Sequence, residues 1–121
     1  MKISYIEFLG QQYPLCFSLS ASQQLCEKFG SLERMQADLG SGDVAKIANA
    51  VNTVLEVLMK AGRVYVKATG GDVPPELPCK PTDLIDVRDG AAINAIFKAI
   101  SDSSEREVET KSKNAGATSG E

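Results

Sequence analysis

Between Asp43 and Gly62 the apolar residues Val44, Ile47, Ala48, Val51, Val54, Leu55, Leu58 and Met59 recur at i, i+3, i+4 and i+7. This spacing places them on one stripe of a long helix. Asp43 is positioned as its N-cap and Gly62 as its punctuation, while Gly40-Ser41-Gly42 breaks the chain before it. The opposite face is mostly polar, with Lys46, Asn49, Thr53, Glu56 and Lys60, and it also carries Ala50 and Val57.

Upstream, Ile3 to Leu9 and Tyr13 to Ser18 alternate as two short strands around Gly10-Gln11, with Tyr13, Leu15 and Phe17 toward one face. An isolated hairpin is marginal in water, so this one must cover helices or a second subunit. Ser20 with Gln23 matches a capping box for a helix running to about Phe29. Gly30 suits a left-handed C-terminal position, and Ser31 caps a shorter helix carrying Leu32, Met35 and Leu39.

Downstream, Arg63 to Lys67 reads either as a continuation of the helix or as a short strand, because Val64, Tyr65 and Val66 suit both. Thr69 to Pro75 is a loop, prolonged by Pro78 and Pro81. Thr82 to Val87 reads as a short helix, and Asp89 caps another in which Ile93, Ile96, Phe97 and Ile100 repeat at helical spacing. The fold expected is mainly α with a short N-terminal β-hairpin, one domain over residues 1–100 built around the long central helix. Residues 101–121 are rich in Ser, Glu, Lys, Asn, Gly and Thr, with Val108 the one large apolar residue, and form an expected disordered tail.

Length and composition fit this picture. A chain of 121 residues with 43% hydrophobic and 24% charged residues supports one modest core. A net charge of −3 and a pI near 5.0 give no electrostatic drive toward nucleic acid. The start MKISYIEFLGQQYP lacks the features of a signal peptide, and no apolar run is long enough for a membrane span, so a soluble, unsecreted protein is expected.

Candidate chemistry is sparse. Cys16, Cys26 and Cys79 form no C-x-x-C pair, and the chain has no histidine to complete a zinc site or to serve as a general base. Asp83, Asp86 and Asp89 are spaced by three and would either gather around magnesium or act as helix caps; capping accounts for all of them. Gly40-Ser41-Gly42 and Thr69-Gly70-Gly71 lack the lysine of a phosphate loop and read as turns. No catalytic, cofactor or metal residues are assigned, and an enzyme is not expected. Val57, Val64 and Tyr65 are the candidate partner-contacting residues, each with ordinary packing as its competing role.

The order of parts, a hairpin, a capped helix ending Leu25-Cys26-Glu27-Lys28-Phe29-Gly30-Ser31-Leu32, a long apolar helix, a proline-containing connector, further helices and a charged polar tail, resembles the tail assembly chaperones of long-tailed bacteriophages and prophages. The resemblance covers approximately residues 1–100 and rests on architecture, with no residue-level binding motif to transfer. It implies a non-enzymatic protein of the host bacterial cytoplasm that coats the tape measure protein during tail building and is absent from the mature virion. In that family a frameshifted product adds a domain that recruits tail tube protein, and the polar end from Ser101 would suit such a junction. Self-association into rings or spirals through hairpin edges is a further expectation. The alternatives are a head-tail joining or tail completion protein and, further off, a small transcriptional regulator using the helices of residues 20–39, against which the acidic balance counts.

Overall fold

The computed structural model describes residues 3–104. Two strands, β1 (Ile3–Phe8) and β2 (Gln11–Cys16), form an antiparallel hairpin, followed by α1 (Leu19–Phe29), α2 (Leu32–Leu39), the long α3 (Val44–Ala68), a 3-10 turn (Pro81–Leu84) and α4 (Gly90–Ser104). This is the α+β arrangement read from the pattern, a two-stranded hairpin followed by helices. The polar segment was expected to begin at residue 101, yet α4 continues to Ser104; residues 105–121 lie outside the described part.

The hairpin turns at Leu9-Gly10, one residue earlier than expected, with φ of 55° and 76°. Both values belong to the left-handed region that two-residue hairpin turns require. In this register Ile6 faces Tyr13 and Ser4 faces Leu15, so Ile6, Phe8, Tyr13 and Leu15 line one buried face. β2 rests on α3 and β1 on α4, where the Ser4 hydroxyl donates to the Ala99 carbonyl at 2.9 Å.

Helix starts follow local capping chemistry, with one shift. Ser31 Oγ accepts from Arg34 N–H, Asp43 Oδ1 accepts from Ala45 and Lys46 N–H, and Asp89 Oδ1 accepts from Ala92 N–H, as the sequence indicates. α1, however, is capped by Ser18, whose Oγ accepts from Ala21 N–H at 3.1 Å, and not by Ser20. Gln23 points along the helix instead, its amide 3.3 Å from Glu27 Oε2.

The central helix does not stop at Gly62. It runs on for two more turns through Val64, Tyr65 and Val66 and is capped at Thr69. Gly62 is there because α3 crosses β2 at that point: a Cβ would overlap the Pro14 carbonyl oxygen and lie 2.6 Å from its carbon. Packing against a strand therefore selects the glycine, and the helix tolerates it. β2, α1, α2 and the 3-10 turn all pack on α3, so its buried arc is wider than the apolar stripe and takes in Ala50 and Val57 as well. The segment expected as a helix over Thr82 to Val87 is only the 3-10 turn, since Ile85 already has extended geometry.

A candidate helix-docking groove between α3 and α4

α4 leans on the hairpin, chiefly on β1, while α3 packs on β2 and crosses it at Gly62. An apolar groove of about 280 Å³ opens between the two helices. Its floor is Val51 and Ile96, each 5% exposed. Val44, Ile47 and Ala48 form the α3 wall, and Ile93 and Phe97 form the α4 wall. Thr82, Ile85 and Val87 close one side.

The closing segment is anchored to α3 by a side chain that the sequence pattern did not single out. Asn52 Oδ1, one residue past the floor on α3, accepts the Thr82 N–H at 3.1 Å, anchoring the start of the 3-10 turn. Beyond it the backbone is shaped by Asp83, Asp86 and Asp89, whose carboxylates accept the N–H groups of Lys80, Arg88 and Ala92. These are the capping roles that compete with metal binding at that spacing. Among the described residues no group of three His, Cys, Asp or Glu side chains converges.

Among the described residues Thr82 is the one polar residue lining the groove, and none of those lining it is titratable. What the groove offers is apolar surface. Val44 on the α3 wall and Val87 in the closing segment are each 65% exposed, among the most exposed large apolar side chains of the described protein. A concave apolar trough flanked by helices fits the apolar face of a third helix.

No protein-family model matches the chain, and no curated protein or solved structure matches it. Function must therefore be argued from the residues themselves.

The three sequence-selected contact residues do not meet at the groove. Val57 is 5% exposed and belongs to the core, in place of the polar face assigned to it. Val64 is 63% exposed and Tyr65 half-buried, both on the last turns of α3, roughly 20 Å along the helix from Val51 at 1.5 Å per residue. Conversely Val44, read as part of the buried stripe, stands at the groove mouth. The missed residues carried a faint signal: Ile85 and Val87 are apolar in a segment too short to bury them as a helix.

The cysteines are separate from this site. Cys16 is fully buried, and burial pushes its thiol above the ordinary value of 9.0, outweighing an opposing hydrogen bond with the Ser18 backbone. Such a thiol is protonated at neutral pH and inert as a nucleophile. Among the described residues no helix is long and apolar enough to cross a membrane.

Proposed function

We propose that this protein is a non-enzymatic tail assembly chaperone whose α3–α4 groove seats apolar faces of the helical tape measure protein, keeping that long chain soluble until tail tube protein displaces it. The observation that supports the reading is the groove itself: apolar on both walls, open to solvent, and lined among the described residues by no ionisable group. The reading also draws on the resemblance of the chain's order of parts to that family.

Magnitudes set the mode of action. A groove of this size takes about two aliphatic side chains, and each contributes about 1.5–3 kcal/mol on full burial. Association entropy offsets most of that gain, so one copy binds weakly. Many copies along one long helical partner act together, which suits a coat that must later be shed. The protein then works in the host bacterial cytoplasm and leaves before the virion is complete.

The test is co-expression with the tape measure protein of the same locus, compared with that partner expressed alone. A soluble complex that forms only with this protein is expected. An insoluble, unbound partner, together with this protein in purified virions, would overturn the chaperone reading in favour of a head-tail joining or tail completion role.

A further inference from the structure

The two edges of the hairpin are chemically different. In a hairpin closed by a two-residue turn, the flanking pair Phe8 and Gln11 exchanges both hydrogen bonds, and bonded and non-bonded pairs then alternate. Tyr5 and Pro14 fall on a non-bonded pair, the position at which a residue without an N–H costs the hairpin nothing. Groups of non-bonded pairs point away from the partner strand. On β2 that outer edge lacks a donor at Pro14, and its Pro14 carbonyl is covered by α3 at Gly62. On β1 the outward groups belong to Ile3, Tyr5 and Glu7, and among the described residues no strand pairs with them. Tyr5, at their centre, is 55% exposed.

We propose that the outer edge of β1 is a self-association surface, pairing antiparallel with β1 of a second copy to give a four-stranded sheet closed at two chains. The occupant follows from the asymmetry. A ring or spiral built through sheet edges needs two different open edges on each chain, and this hairpin has one. When two copies pair, the one open edge meets its own counterpart, which makes a two-fold, isologous contact.

Register follows from the outward groups. Centring the pair on Tyr5 brings Ile3, Tyr5 and Glu7 of both copies into about six backbone hydrogen bonds. It sets Tyr5 against Tyr5 and Glu7 against Ile3, keeping the two carboxylates apart. Centring on Glu7 would oppose the carboxylates directly and lose the pairing of Ile3. The expected dimer is weak, because the contact is a narrow strip and not a broad apolar face.

Sedimentation of the full chain at rising concentration, to about 0.5 mM so that a weak pair is populated, tests the proposal. The wild type should shift from one to two chains, and Tyr5→Lys, which sets like charges opposite each other on an exposed position, should remain a monomer with an unchanged circular dichroism spectrum. In a Cys26→Ser, Cys79→Ser background, Tyr5→Cys should cross-link two chains on oxidation, whereas Ile3→Cys, whose copies lie roughly 13 Å apart in this register, should not. A wild type that stays monomeric, a Tyr5→Lys protein that dimerises equally well, or an Ile3→Cys protein that cross-links as readily as Tyr5→Cys would each overturn it. Partner capture by the groove is a separate readout, so the two ideas fail separately.

Discussion

Gly62 shows two residue-scale effects in direct opposition. Replacing a mid-helix glycine with alanine ordinarily stabilises by about 1 kcal/mol through helix propensity. Here the new methyl would overlap the Pro14 carbonyl oxygen, and backbone on both sides leaves no flexible group to give way. Overpacking of this kind costs about 1–3 kcal/mol or more, so the steric effect wins. Gly62→Ala should therefore lower the urea midpoint, whereas a rise would mean that α3 and β2 are not in contact there. Cys16 makes a second prediction. Its folded thiol titrates above 9.0, so from about pH 9 upward the unfolded chain loses that proton first and folded stability declines with rising pH. The slope from this one group is at most about 1.4 kcal/mol per pH unit; it should be absent from Cys16→Ala, so the difference in stability between wild type and variant should shrink as pH rises above about 9. At neutral pH an uncharged thiol reagent should label half-buried Cys26 and Cys79 well before Cys16.

Elements were legible wherever chemistry within a few residues decides them. Ser31, Gly30, Asp43 and Asp89 act where the pattern placed them, and the hairpin and the long helix follow from their periods. Misreadings fall where tertiary contact decides. Ser20 satisfies the capping motif with Gln23, but β2 ends at Cys16 and delivers the chain into a helix already begun at Leu19, which leaves Ser18 as the cap. Gly62 looks like a terminator until β2 is laid across it. The two serines give a clean comparison: Ser18→Ala should cost about 1 kcal/mol, as the loss of an N-cap does, and Ser20→Ala should stay within about 0.5 kcal/mol. Equal losses in thermal or chemical denaturation would return the cap to Ser20.

At the scale of the whole molecule the groove could not be read from the sequence, because its walls come from three segments and its opening from how α4 sits. Periodicity marks Val44 as core-facing, yet α4 leans on β1 and leaves that end of the stripe uncovered. The same geometry separates two kinds of substitution on one helix. Val57→Lys buries an unpaired charge in the core and should unfold the protein or cost several kcal/mol. Val44→Lys and Val87→Lys alter positions that are already 65% exposed, so each should change stability by no more than about 0.5 kcal/mol. Each would also remove an apolar contact worth about 1.5–3 kcal/mol to a docked helix, a loss of roughly 10- to 100-fold in partner capture. Retention of the tape measure protein on the immobilised, folded variants measures that loss. If both lysine variants capture it normally while Val64→Lys or Tyr65→Lys does not, contact lies at the C-terminal end of α3, on the residues the sequence pattern first pointed to, and the groove has another occupant.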